Sequence, residues 1–262
     1  MKLQKFFQKL GHSISKRALW VPRRILYAIN GYATLGGLKL PLHEYSKESR
    51  ALLLGGYYEE AEIEFVRKHV PRGAYVVEFG ASIGVISCHI LKQSPAFLLS
   101  FEAVGAWASL ARKTVGLNFA NPPYELKEMA IGRRGQKEVL FAFDSQENLG
   151  GQVVDSRSQE ARRSIITVPS LSLSEVNEIH RVPDDAWLVM DIEGAEWDLA
   201  RCQGDALRKY EGIIVECHAI KHEGRDVTPQ EIVEEFKKCG FRLVELVSHY
   251  THVVAFLRRD DR

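Results

Sequence analysis

Acidic residues and one histidine close two apolar runs in the second half of this sequence, and their types could do acid–base or metal chemistry. Asp191 follows the run Ala186–Met190, with Glu193 and Glu196 just beyond it. Glu216 and His218 end the run Gly212–Cys217, with Cys217 between them pointing to the other side of an extended chain. Asp191 or His218 could take the proton of a hydroxyl nucleophile directly. Alternatively, Asp191 and Glu216, with or without His218, could hold Mg²⁺, which would lower the hydroxyl's pKa and orient it. The residue types leave base and metal both open. Part of the cluster also has a plain structural use, because acids at the start of a helix favour its macrodipole.

A second constellation says what could bind beside these residues. In Val76-Val77-Glu78-Phe79-Gly80-Ala81-Ser82-Ile83-Gly84-Val85-Ile86-Ser87 an apolar strand ends in an acid, a glycine turn and a helix start. Parallel α/β sheets bind ligands at such strand ends. Dinucleotide sites want G-x-G-x-x-G, whose second glycine lets the backbone approach a pyrophosphate. Here only Gly80 and Gly84 are glycine, and Glu78 brings a negative charge. That pattern repels a diphosphate and suits a cationic nucleoside without phosphate, S-adenosylmethionine. Glu102 ends the next apolar run, where a carboxylate can accept ribose hydroxyls. NAD enzymes use an acid there too, so the turn, not Glu102, distinguishes the two cofactors.

These residues need a scaffold, and the sequence alternates strand and helix patterns to supply one. Expected strands are Ala74–Phe79, Ala96–Phe101, Tyr124–Ala130, Ala186–Met190, Gly212–Cys217, Phe241–Val247 and His252–Leu257, with helices at Ile83–Gln93, Trp107–Asn118, Ala195–Cys202 and Pro229–Cys239. Such alternation implies an α/β fold, a mostly parallel sheet covered on both faces. The last two strands, joined by a short link, must be antiparallel, so a Rossmann-like seven-stranded sheet with one reversed strand is expected. Lys137–Phe143 and Ile165–Val168 read as added β-structure, and the polar stretch Asp144–Ser164 between them as a mobile loop.

Composition bounds the rest. At 262 residues, 45% hydrophobic and 26% charged, the sequence suits one large α/β domain plus an arm. We expect a basic, helical N-terminal arm over residues 1–50 and a catalytic domain over 51–262. Residues 1–43 hold eight Lys or Arg and no acid. Leu3, Phe6, Phe7, Leu10 and Ile14 fall at helical spacing among the lysines, so the arm could lie on an anionic membrane or pack on the body or a partner subunit. Cys88, Cys202, Cys217 and Cys239 show no C-x-x-C pairing, which fits a reducing, cytoplasmic setting. Outside the arm, bases are too well balanced by acids for a nucleic-acid groove, and a homo-oligomer is compatible with everything above.

The sequence resembles the FkbM-type S-adenosylmethionine-dependent methyltransferases. The likeness is carried by VVEFGASIGVIS (Val76–Ser87), SFEA (Ser100–Ala103) and MDIEGAEWDLA (Met190–Ala200), with smaller matches at GGYYEEAE (Gly55–Glu62), EMAIG (Glu128–Gly132), NLGG (Asn148–Gly151) and IIVECH (Ile213–His218). Relatives commonly have Asp-x-Gly-Ala-Asn in the first motif, where Glu78 and Ser82 stand here, and a proline where Ala103 stands. The resemblance implies the seven-stranded methyltransferase fold and O-methylation, often of sugars or natural-product hydroxyls. It implies a cofactor held by Glu78, Gly80, Ala81, Ser82 and Gly84, by Glu102 and Ala103, by Met129 and Ala130 around the adenine, and by Asp191, with Glu78 against the methionine ammonium. Tyr58 and Glu59 could close over it. Asp191 and His218 then stand as the catalytic pair, and Asp191 with Glu216 as the metal pair. The acceptor implied is a sugar, glycan or glycoconjugate precursor. The rival readings are an NAD-dependent dehydrogenase or epimerase and a cofactor-binding module without catalysis.

Overall fold

The computed structural model describes residues 32–56, 58–144, 151–154, 164–249 and 252–260. Two compact units divide after Tyr58. In the first, strands β1 (Ala33–Leu35) and β2 (Leu38–Leu40) form a hairpin, and helix α1 (Lys47–Gly55) follows. Ser46 caps α1 by accepting the Ser49 N–H at 3.1 Å, and Gly56 ends it in the left-handed region. The expected helical arm lies outside the described residues up to position 31; beyond it the chain turns to β-structure before α1.

The second unit, Glu59–Arg262, carries the sheet. Its elements are α2 (Glu60–His69), β3 (Tyr75–Phe79), α3 (Val85–Lys92), β4 (Phe97–Glu102), α4 (Gly105–Asn118), β5 (Tyr124–Glu128), β6 (Ala130–Ile131), β7 (Glu138–Phe143), β8 (Gln152–Val154), β9 (Ser164–Leu171), α5 (Leu173–Ile179), β10 (Ala186–Met190), α6 (Glu196–Cys202), α7 (Gly204–Leu207), β11 (Tyr210–His218), β12 (Ile220–His222), β13 (Arg225–Val227), α8 (Pro229–Lys238), β14 (Phe241–Ser248) and β15 (His252–Arg259).

Seven strands form the main sheet in the order β14-β15-β11-β10-β3-β4-β5. Five central strands run parallel, and β15 is antiparallel to both its neighbours, as the sequence pattern predicts. Strands β3, β4, β10 and β11 read as near-continuous apolar runs because helices cover both faces. On one face Val77, Phe79, Leu99, Phe101, Leu188 and Val215 pack with α6 and α8 into the larger core.

The expected third strand breaks at Met129. β5 stays in the main sheet, while β6 pairs with β9 in a separate four-stranded sheet, order β6-β9-β7-β8. Val139, Phe141 and Val168 of that sheet pack on Val104, Trp107 and Ala130. Two residues after α6 ends, Gly204 opens the short α7, and neither α5 nor the β12–β13 hairpin stands out in the sequence.

Candidate active site

β3 delivers the turn Gly80–Gly84 to the carboxyl edge of the sheet at the point where β4 lies on one side and β10 on the other. Open parallel sheets bind ligands where the strand order reverses in this way. Gly80 takes φ 85° and donates its N–H to the Phe101 carbonyl at 3.0 Å; a side chain here would collide with the Asp191 carbonyl. Gly84, at φ 81°, is required for another reason: a Cβ would come within 2.8 Å of the Ala111 backbone on α4. Ala81 is buried in that packing, with Ala108 and Ala111. Ala81 and Gly84, expected against the cofactor, therefore serve the contact beneath the turn, and neither lines the crevice beside it.

Glu78, expected against the methionine ammonium, is absent from the crevice lining as well. It is 1% exposed, and its Oε2 accepts hydrogen bonds from Ser87 Oγ at 2.6 Å and from Ser100 Oγ. Burial lifts it to about 7, against the lowering effect of the two hydroxyls. Its neighbours Val77 and Phe79 face the larger core, so alternation along β3 turns Glu78 to the α3 side. The carboxyl is enclosed under the turn.

Other carboxylates face the open space beside the turn. An open crevice at this edge is lined by Glu59, Glu102, Asp191 and Glu193 and by no lysine or arginine among the described residues. Gly80, Ser82, Ala103, Met129 and Ala130, which the resemblance puts against the cofactor, also line it. Glu102 Oε2 accepts the Ser82 N–H at 2.7 Å and Oε1 the Val104 N–H at 2.9 Å. These bonds fix the carboxyl at the end of β4, while burial raises it to about 7. Phe101, Ile131, Trp107 and Phe141 supply apolar wall. Trp107 and Phe141 were not legible as site residues, since an aromatic in a helix or strand pattern reads as core. Gly151 and Val153 also line the crevice, whereas residues 145–150 and 155–163 of the expected loop lie outside the described residues.

At the next strand ends the acids gather around His218. Its Nδ1 faces Glu196 Oε1 at 3.6 Å and Asp191 Oδ1 at 3.9 Å, and its Nε2 faces Glu216 Oε1 at 3.1 Å and Glu193 Oε2 at 3.5 Å. Burial alone would lower His218, but these carboxylates outweigh it and lift it to about 12. Burial would raise Glu216, yet His218, Glu62 and His252 hold it down at about 2. Asp191 is pushed well up by burial and by the charges of Glu216 and Glu193, and its Oδ1 has no hydrogen-bond partner. Glu196 is fully buried and spends its oxygens on the turn after β10, accepting from Ile192 N–H at 3.0 Å and Gly194 N–H at 2.8 Å. Glu62, on α2, went unrecognised in the sequence. Burial and its contact with Glu216 raise it to about 10.

The expected metal pair does not form. Asp191 and Glu216 face different nitrogens of His218, whose ring stands between them. Among the described residues the groups able to hold a cation are Asp191–Glu196–His218 and Glu216–His218–His252. Each contains an imidazole, whereas Mg²⁺ wants an octahedron of oxygens, so the donor sets do not fit Mg²⁺.

A second, larger groove adjoins the crevice, sharing Ile131, Val153, Glu193 and Ala195 with it. Arg133, Gln136, Gln152, Asp198, Lys221 and His222 make its walls polar, and His218 also lines it. Asp191 thus borders the crevice and His218 the groove.

Comparison with known proteins places this arrangement. The family model for the methyltransferase FkbM domain matches residues 78–243. No curated protein matches the sequence. Similar solved structures include magnesium protoporphyrin IX methyltransferase from Synechocystis PCC 6803 with bound S-adenosylmethionine, at 10% identity and TM-score 0.46, covering 82% of this chain and 85% of that one. Ribosomal protein L11 methylase from Lactobacillus delbrueckii subsp. bulgaricus matches at 10% identity and TM-score 0.47, over 78% and 80% of the two chains. Aeropyrum pernix fibrillarin with natively bound S-adenosylmethionine matches at 8% identity and TM-score 0.45, over 76% and 74%. The family match rests on none of these distant likenesses.

Proposed function

The chain belongs to the FkbM family of S-adenosylmethionine-dependent methyltransferases, and from that premise we propose that it methylates a hydroxyl of a sugar, glycan or glycoconjugate precursor. The observation that carries this reading is the junction of crevice and groove, where Asp191 on one side faces His218 on the other across 3.9 Å. A groove walled by amide, carboxylate, guanidinium and imidazole groups suits an acceptor rich in hydroxyls.

The crevice fits the cofactor by charge. Four carboxylates and, among the described residues, no lysine or arginine favour a sulfonium and an ammonium and oppose a diphosphate, which argues against NAD. Glu102, Ser82, Ala103, Met129 and Ala130 are the residues that would hold the nucleoside. When bound, S-adenosylmethionine supplies a methyl already activated by a positively charged sulfur.

The chain's own work is to hold the acceptor and move its proton. Asp191 is the base: burial and neighbouring acids raise its proton affinity above that of an ordinary aspartate. His218 does not share that role. Ringed by acids, it keeps its proton, and its positive charge stops Asp191, Glu193, Glu196 and Glu216 from repelling one another apart. A pure cofactor-binding module would have no use for such a cluster. The reading extends to the basic first 43 residues, which would hold the enzyme at an anionic membrane surface where a lipid-borne acceptor lies.

The test is transfer of labelled methyl from S-adenosylmethionine to a panel of glycans and lipid-linked sugars. Asp191→Asn, which keeps three of the four crevice carboxylates, should still bind the cofactor, though more weakly, and should lose about 10²–10⁴ in turnover at saturating cofactor. Full turnover by that variant would remove Asp191 as the base, and no transfer to any polyhydroxylated acceptor would remove the acceptor class.

A further inference from the structure

We propose that Glu216, His218 and His252 form a binding site for a first-row transition-metal dication of the zinc type. The inference stands apart from the methyl-transfer reading and begins with the sheet. β11 and β15 are antiparallel, with His218 directly opposite His252 in register. Glu216 lies two residues before His218, so alternation puts it on the same face, and a directly opposed cross-strand residue shares that face too. Three ligating side chains thus meet at one corner of a rigid two-strand ladder.

The spacings of both histidines to Glu216 are those of ligands around one ion. His218 Nε2 lies 3.1 Å and His252 Nε2 3.3 Å from the same oxygen, Glu216 Oε1, and one ligand atom from each residue falls within 4.8 Å of the others. Zinc–nitrogen and zinc–oxygen bonds of about 2.0–2.2 Å place neighbouring ligand atoms about 3.0–3.5 Å apart. Two imidazoles and a carboxylate are a donor set that suits zinc, iron or nickel, not magnesium or calcium. The neighbouring group of Asp191, Glu196 and His218 is less suited, because both Glu196 oxygens already accept backbone N–H bonds.

The surroundings support a cation at this point. Glu62, 5% exposed, presses its carboxyl on Glu216 and would orient it from behind, as outer partners of metal ligands do. An ion on His218 Nε2 would take the place of the proton there. The positive charge that the acids draw to the ring is kept, and Nδ1 still faces Asp191. His218 lines the polar groove, so the ion would sit at the acceptor's side of the junction.

The full-length protein, stripped with a chelator, is titrated with Co²⁺ and with Zn²⁺. One equivalent of Co²⁺ should give visible ligand-field bands without thiolate charge transfer, and Zn²⁺ should displace it. His252→Ala and Glu216→Gln should lose the bands and weaken Zn²⁺ binding by about tenfold or more in calorimetry. His252 is partly exposed, so its removal should leave the metal-free melting temperature near the wild-type value. Thiolate charge-transfer bands in the wild type would assign the metal to cysteine and overturn the proposal, whatever the variants do. Unchanged Co²⁺ spectra in His252→Ala, or no Zn²⁺ uptake by the wild type, would overturn it equally. None of these results bears on whether a methyl group is transferred.

Discussion

Glu78 is a carboxyl sealed from solvent, and its titration should be visible in the stability of the whole protein. Burial raises it from 4.5 in an open chain to about 7. Between those values the native state keeps a proton that the unfolded chain has released. Stability is therefore lost as pH rises through that window and is constant again above it. Glu78→Gln removes the linkage. In denaturant melts, the stability of the variant relative to the wild type should rise by about 3 kcal/mol between about pH 4.5 and about pH 7.5; a flat difference would mean that Glu78 reaches solvent. The residue also shows what the sequence hides. Val76, Val77, Glu78 and Phe79 are all buried, so a strand covered on both faces gives no sign of which way its acid points. Asp191, Glu102 and His218 were legible because each ends an apolar run at the binding edge. Glu62 and His252 were not, since each meets Glu216 only through tertiary packing.

At the scale of elements, the site depends on how closely β3 and β10 approach beyond their last paired residues. Asp191 donates its N–H to the Phe79 carbonyl at 3.0 Å, and the next residue of β3's exit, Gly80, has room for hydrogen alone against the Asp191 carbonyl. Gly80→Ala must push the two strand ends apart and carry Asp191 with them. We expect it to lower the melting temperature and to weaken S-adenosylmethionine binding by more than about tenfold together. Gly73→Ala is the control: it too has positive φ, 78°, but no atom within 4 Å of an added Cβ. It should cost only backbone strain, about 1 kcal/mol, with unchanged affinity. Equal affinity in the two variants would detach the turn from the crevice. The strands and the reversed last strand were readable from alternation, because burial and short links dictate them. The split at Met129, which sends β6 into a second sheet, was not, since an apolar run looks the same whichever partner its edge takes.

For the whole molecule, charge is the property that separates the first residues from the rest. The arm carries eight bases and no acid in 43 residues, leaving 35 − 8 = 27 bases against 34 acids in the remainder. Among the described residues no helix is long and apolar enough to cross a membrane. Each Lys or Arg near an anionic surface contributes about 1 kcal/mol, an attraction that fades beyond a Debye length of about 10 Å at 0.1 M salt. The acidic body is repelled by the same surface, so binding should depend on the arm alone. In co-sedimentation, the full chain should pellet with phosphatidylserine-containing vesicles, stay in solution with neutral ones, and be released as salt is raised. A chain beginning at Ser46 should stay in solution with both while binding S-adenosylmethionine with unchanged affinity. Equal pelleting of the two chains would move the arm from the membrane to the protein's own surface. Salt-insensitive pelleting of the full chain would point instead to the apolar stripe of Leu3, Phe6, Phe7, Leu10 and Ile14, whose burial in a bilayer ions do not screen.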